Sequence, residues 1–319
     1  MNPAATIDRK GLLAAGAAFF VWGLFPLFWI LLKAVPALEI IAHRVVWCAL
    51  FVVTYLLWRD GSGWLRTALA GPKVLLTLIA SSILISINWG LYIWAVTHGH
   101  VVEASLGYFI NPLVNVLIGV LLLHERLNRV QWAAVALAGV GVAWLTVQHG
   151  GLPWIALTLA FSFAFYGLLR KQVAVESVPG LGIESLLLTV PALLFLGWRE
   201  MQGVGQFGHA PLATEMLLIV GGALTALPLI GFAYGARRIP YSLVGILQYL
   251  APTLQLLVGV LVLGEPFTAT QAIGFAFIWL ALVLYAGNGL HVLRRYRHSE
   301  RAALAAATAG VKSPSRAPE

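Results

Sequence analysis

The sequence predicts an all-α integral membrane protein of ten transmembrane helices, arranged as two inverted-topology five-helix repeats. Three observations carry this reading. Hydrophobic residues make up 60% of the 319 positions and charged residues only 10%, against roughly 25% charged in a soluble domain. Such a chain cannot cover a surface in water, whereas lipid tails are as apolar as leucine and remove that demand. The apolar residues fall into ten runs, most of them near the ~20 residues that cross a ~30 Å hydrocarbon core. Lysine and arginine crowd into alternate breaks between those runs.

In chain order the runs are 11–32, 38–58, 74–96, 103–123, 130–148, 152–170, 182–198, 212–235, 243–263 and 268–291. The seventh is the shortest. Ten crossings put both termini on one side. With the termini inside, the inner segments hold Arg9, Lys10, Arg59, Arg66, Lys73, Arg126, Arg129, Arg170, Lys171, Arg237, Arg238 and the basic residues of the tail, while the outer segments hold Lys33 and Arg199. The positive-inside rule then assigns both termini to the cytoplasm, and one helix more or fewer would scramble the alternation. The net charge of +8 is thus an orientation signal, and no nucleic-acid partner is expected.

Residues 1–10 are too short and polar for a signal peptide and read as a cytoplasmic N-terminus. Residues 292–319 turn basic, then Ala-rich, then rich in Ser, Pro and Arg, and read as a partly disordered cytoplasmic tail. The single cysteine, Cys48, excludes an intrachain disulfide and reads as a small packing residue. Eight scattered histidines and one cysteine make no metal site, and no cofactor is expected.

The two halves match each other. Pro112, Gly119, Glu125 and Gln131 have the same spacing as Pro252, Gly259, Glu265 and Gln271, and Asn115 corresponds to Gln255. Phe19, Trp22 and Gly23 match Phe163, Tyr166 and Gly167, and Glu39 and Glu184 fall near the start of the second helix of each half. The repeats therefore span 11–148 and 152–291. Five helices is an odd number, so the second copy enters from the opposite side. Inverted repeats are typical of secondary transporters, whose substrate site lies near the midplane between the repeats.

Polar residues inside the runs mark the candidate site. On the fourth helix Tyr108, Asn111, Asn115 and Gly119 share one face, with Asn111 roughly 12 Å and Asn115 roughly 18 Å deep. Pro112 lacks an N–H and frees the Tyr108 carbonyl. The ninth helix repeats the design with Gln248 and Gln255 beside Pro252, which frees the Gln248 carbonyl. The two stripes face each other, either as interhelical hydrogen bonds or as the lining of a substrate cavity. Asn88, with Tyr92 one turn beyond, stands level with Asn111 and is expected to touch it. Trp22 and Tyr166 either pack or clamp a flat substrate.

Glu39, His43 and Arg44 are the one ionisable cluster inside a run. One reading makes Glu39 and His43, neighbours at i,i+4, a proton relay near neutral pH. The other makes Glu39 and Arg44 a structural pair, with Arg44 snorkelling to the outer interface. Glu184 stands isolated, and Arg170 anchors the end of the sixth helix. Glu125 and Glu265 are expected to cap helices or pair in loops. Gly231 and Gly235 permit close helix contact, within the bundle or between two copies.

The strings His43-Arg44-Val45-Val46-Trp47, Asn88-Trp89-Gly90, the stretch from Glu103 to Asn115, Phe161 to Leu168 and Gln248 to Thr253 closely resemble RarD-type proteins of the EamA group, within the drug/metabolite transporter superfamily. The resemblance runs from about Lys10 to His291. It implies a ten-helix bundle in a bacterial inner membrane that exports or exchanges small organic molecules by alternating access. It brings no established binding set to carry over.

The expected function is therefore secondary-active transport of a small-molecule substrate. No G-x-x-x-x-G-K-[ST] phosphate loop is present, so a proton or solute gradient must drive it. An intramembrane lipid-processing enzyme would need clustered acids, bases or metal ligands, and no H-E-x-x-H or G-x-S-x-G string occurs. A receptor or scaffold would carry large extramembrane loops, and the breaks here are short.

Overall fold

The computed structural model describes residues 8–68, 71–123, 127–149, 151–173, 175–236, 238–239 and 247–288, and the regular elements among them are all helical. The Asp8 carboxylate accepts the N–H groups of Lys10 and Gly11 at 2.9 and 3.2 Å, which caps α1 (Arg9–Gly23). The chain bends by 45° after Gly23 and continues as α2 (Phe25–Trp29), with Pro26 in its first turn where no N–H is needed.

The remaining helices are α3 (Ala37–Asp60), α4 (Gly63–Ala68), α5 (Pro72–Thr97), α6 (Val101–Leu123), α7 (Arg129–His149), α8 (Trp154–Gln172), α9 (Ser177–Met201), α10 (Leu212–Ala236), α11 (Leu250–Val262) and α12 (Ala269–Asn288). Seven of them, α3, α5, α6, α7, α9, α10 and α12, are long and apolar enough to cross a membrane. The bent pair α1–α2 makes an eighth candidate span, while α8 and α11 are shorter apolar helices. The chain is an all-helical, multi-pass membrane protein.

Two helices differ from expectation. The seventh run, the shortest in the sequence, is the 25-residue α9. Pro179 falls in the first turn of α9, where proline costs no hydrogen bond, and α9 also continues through Pro191. Among the described residues the ninth run begins with a helical Leu247 and is then interrupted by a turn at Gln248 and Tyr249. Pro252 consequently stands in the first turn of α11 rather than inside a continuous helix. The start of that run at 243, Glu125, Arg237, His291 and the segments 1–7 and 292–319 lie outside the described residues.

Helix α8 lies between α5 and α6, and α1 lies between α10 and α11. Helix α3 runs along α9, and α3 packs on α10 as α9 packs on α5. Small residues set the distances. A Cβ at Gly107 would stand 2.7 Å from the Ala156 carbonyl oxygen, and one at Gly23 would stand 2.6 Å from Leu254 Cβ. Gly235 faces the Gly11 carbonyl and Ala15, and Gly231 faces Ala14. The Gly231–Gly235 pair thus serves the α1–α10 contact inside the bundle. In lipid, close van der Waals approach of this kind replaces the hydrophobic effect as the source of helix association.

The repeat-related glutamines have a local role. Gln131 and Asn128 bond each other's backbone N–H at 2.9 and 3.0 Å, and Gln271 and Thr268 do the same at 2.8 and 3.2 Å. Each is a capping box, opening α7 and α12 respectively. Glu265 reaches farther and accepts the N–H groups of Val101 and Val102 at 2.7 and 2.8 Å. It caps α6 with a full negative charge from the other half of the chain.

Removing that cap with Glu265→Ala is expected to lower stability by about 1–2 kcal/mol, read as a fall in the melting temperature of the purified protein. Glu265→Gln should recover part of it. A melting temperature unmoved by either change would contradict the cap. Gly107→Val should destabilise more, because the α8 backbone cannot retreat from a branched side chain.

Candidate functional site

The polar residues of α5 and α6 meet on α8. Asn88 donates its side-chain amide to the Leu159 carbonyl at 2.9 Å and to Ser162 Oγ at 3.0 Å. Asn111 donates to the Ala160 carbonyl at 3.1 Å. Both amides therefore bond α8, and the expected Asn88–Asn111 contact is not made. Tyr108 OH reaches Asn88 Oδ1 at 3.4 Å and its ring meets Tyr92 edge to face at 5.7 Å. Asn115 donates to Asn111 Oδ1 at 3.0 Å but is itself exposed. Pro112 and Pro252 are buried.

The other half repeats this bonding. Gln255, 4% exposed, donates to the Trp22 carbonyl at 3.1 Å, so α11 grips α1 as α6 grips α8. Gln248 is half-buried in the turn before α11. Asn111 and Gln255, the buried amides of the two stripes, are each spent on a neighbouring backbone and not on each other. Trp22 sits against Phe19 and Phe232 at 5.3 and 5.7 Å. Tyr166 instead bonds Glu184, so the two aromatics serve separate clusters and form no clamp.

The ionisable cluster of α3 divides three ways. Glu39 is 1% exposed and accepts from Arg199 Nη2 at 3.2 Å and from the Gln206 N–H at 2.6 Å. Its partners come from the end of α9 and the 202–211 segment. The expected Glu39–Arg44 pair is absent, because Arg44 lies on another face of α3. His43 is covered by Phe207 at 5.0 Å, and its Nε2 is buried without a hydrogen-bond partner. The same segment carries His209, whose pKa is raised by its hydrogen bond to Glu200 at 2.8 Å.

Arg44 does not snorkel. It is 4% exposed and points into the bundle, where Nε donates to Thr225 Oγ1 at 2.9 Å. Its guanidinium carbon stands 4.1 Å from the Trp89 ring centroid, 5.1 Å from Trp29 and 6.0 Å from Phe25. Its charge also acts on the hydroxyls of Tyr92 and Tyr108. Among the described residues no carboxylate pairs with it, and Nη1 has no hydrogen-bond partner. A desolvated cation–π contact returns about 2 kcal/mol. The cost of burying a charge is several kcal/mol, so the aromatic walls offset only part of it.

Glu184 is not isolated. It is 1% exposed and accepts from Ser81 Oγ at 2.5 Å and from Tyr166 OH at 3.2 Å. Arg170 Nε lies 3.7 Å away, and its Nη2 donates to the Glu176 carbonyl at 3.0 Å beyond the end of α8. Sequence reading missed Ser81, Ser162, Arg199, Phe207 and Thr225. Serine and threonine inside apolar runs look like ordinary helix positions, and only an ionisable neighbour across the bundle reveals them. A pocket of ≈ 210 Å³ opens beside Val102, Leu106, Leu145, Trp154 and Phe275, and none of the substrate-cavity candidates borders it.

Comparison with known proteins places the chain in a family. The model of the EamA-like transporter family matches twice, over residues 9–147 and 151–287. Protein RarD of Streptomyces exfoliatus is 47% identical over 291 residues, covering 91% of this chain and 92% of that one. The uncharacterized transporter YojE of Bacillus subtilis (strain 168) is 47% identical, covering 87% and 93%, and protein RarD of Escherichia coli (strain K12) is 43% identical, covering 90% and 97%. A solved crystal structure at 19% identity superposes with a TM-score of 0.58 over 86% of this chain and 96% of its own, a likeness of fold. Matched along nearly its whole length by family and relatives alike, the chain belongs to the EamA-like transporter family as a RarD-type member.

Proposed function

We propose that this membrane transporter is a secondary-active exporter of a small organic solute, working by alternating access between two inverted five-helix repeats at 11–148 and 152–291. The observation that carries the reading is the reciprocal packing of the halves: α8 sits between α5 and α6 as α1 sits between α10 and α11. In each case an amide side chain bonds the backbone of the intruding helix. Two bundles exchanged in this way rock against each other about a shared polar seam. In this reading the two shorter apolar helices, α8 and α11, cross the membrane as well as the seven long spans and the bent pair, which makes ten crossings. The lysine and arginine bias orients both termini to the cytoplasm of a bacterial inner membrane.

In this reading the solute passes among Asn88, Tyr92, Tyr108 and Arg44, while Asn111 and Gln255 hold the seam. Two buried ion pairs act as latches near opposite ends of the bundle. Glu39–Arg199 ties α3 to α9 and to the 202–211 segment, and Arg170–Glu184 ties α8 to α9. Alternating access requires that they open in turn, and protonation of a carboxylate is the step that couples opening to a proton gradient.

Topology is tested by reporter fusions. Alkaline phosphatase joined after Lys33 or Gly205 should be active, and green fluorescent protein joined after Arg66 or Arg129 should fluoresce. The reverse pattern at any junction would break the ten-crossing scheme. Export is tested by mass spectrometry of medium from cells expressing the chain or its Asn88→Leu variant. At least one organic solute should be released severalfold more by the unmodified chain, and identical media would overturn the exporter reading.

The single cysteine provides a reporter for the latch. Cys48 is fully buried beside Ser185, at 3.8 Å. A membrane-impermeant maleimide should label it slowly in the unmodified chain and at least severalfold faster in Glu39→Gln, where the Arg199 bond and the hold on Gln206 are weakened. Equal labelling rates would remove the latch from the mechanism.

A further inference from the structure

The surroundings of Arg44 hold buried polar groups that have no hydrogen-bond partner among the described residues. Arg44 Nη1 and Trp29 Nε1 are buried donors with no partner, and Tyr92 OH is buried and unpartnered beside them. Thr225 Oγ1, which accepts from Arg44 Nε, spends its own proton on the Gly221 carbonyl. Glu39, the acid nearest in sequence, is occupied by Arg199 and Gln206. A permanently charged guanidinium, unused donors and no counter-ion among the described residues describe half of a hydrogen-bonded ion pair. The other half must be an anion brought by the solute. The walls are the flat faces of Trp29 and Trp89, which suit an apolar or aromatic body.

We infer that Arg44 is the anchor of an organic-anion site, in which the guanidinium, Tyr92 OH and Trp29 Nε1 take the carboxylate of an organic acid with a flat apolar body. This rests on the carrier reading above and names its substrate class. The carboxylate is favoured over a phosphate because one cation with two neutral donors balances a single negative charge, and a planar carboxylate matches the guanidinium plane. In the conformation described the site is covered, with Phe207 packed at a tilt against His43 and Trp47 over its end of α3. Entry therefore requires the 202–211 segment or the opposite end to open.

The test is ligand-dependent thermal stabilisation of the purified full-length protein in detergent. The probes are benzoate, phenylacetate and indole-3-acetate, each against its neutral amide, with inorganic phosphate as a further arm. At least one acid should raise the melting temperature in a saturable way while its amide does not. Arg44→Gln should weaken the apparent affinity at least roughly tenfold, and Tyr92→Phe, which leaves the ring in place, by about three- to tenfold. If Arg44→Gln does not yield a monodisperse protein, Tyr92→Phe and Trp29→Phe decide the matter.

Acids and amides acting alike, no acid acting at all, or an undiminished acid response in the variants would overturn the site. Stabilisation by phosphate in place of the acids would overturn the carboxylate assignment. Solute export that persists alongside a negative binding result would leave the carrier reading standing without this site. Loss of export from the unmodified chain, with acid binding intact, would do the reverse.

Discussion

Inside a membrane a polar side chain has no water to fall back on, so those that bond to protein dictate which helices touch. In this chain three amides carry that constraint. Asn88 and Asn111 both bond the α8 backbone, at Leu159 and Ala160, and Gln255 bonds the α1 backbone at Trp22. An amide bond of this kind contributes only about 0.6 kcal/mol on average. Its importance is directional, because α8 and α1 slide freely on an apolar surface until a donor selects one carbonyl. Gly107 and Gly23 then let the backbones close to the distance the bonds need. The exchange of first helices between halves follows from these few contacts.

Much of the fold was legible in composition and run length. Helices α3, α5, α6, α7, α10 and α12 lie within a few residues of the expected runs wherever the residues are described. The deviations trace to proline. Helix α9 starts before the expected run because its first turn accepts Pro179 without loss, and Pro252, expected as a break inside a helix, stands in a first turn. A sequence states that a proline is present and not which turn of a helix it occupies. The capping boxes at Asn128–Gln131 and Thr268–Gln271 were visible as repeated glutamines, though not as caps.

The candidate site was legible as residue types and not as partnerships. Depth along a helix was sufficient to single out Asn88, Tyr108, Asn111 and Gln255, but two residues at one depth meet only if rotation about both helix axes brings them together. Asn88 and Asn111 are level and still bond separately to α8. The i,i+4 rule correctly put Glu39 and His43 on one side of α3. It could not foresee that Arg199, 160 positions away, would claim the carboxylate. Arg44, one residue beyond His43, turns by about 100° to another face, which is why the neighbouring acid in the sequence is not its partner in space.

That rotation leaves a chain with two buried carboxylates satisfied by Arg199 and Arg170, and one buried arginine satisfied by none among the described residues. The imbalance is costly for a resting protein. Replacing Arg44 by an apolar side chain of similar volume would remove the desolvation cost with little loss of packing. The aromatic faces of Trp29 and Trp89 lower that cost without cancelling the charge. A neutralising carboxylate built into the chain would stabilise the bundle but would compete with any anion for the same guanidinium. A carrier that must bind and then release an anionic solute needs a site that is neither self-neutralised nor bare, and an arginine screened by π faces, with its Nη1 left open, meets both conditions.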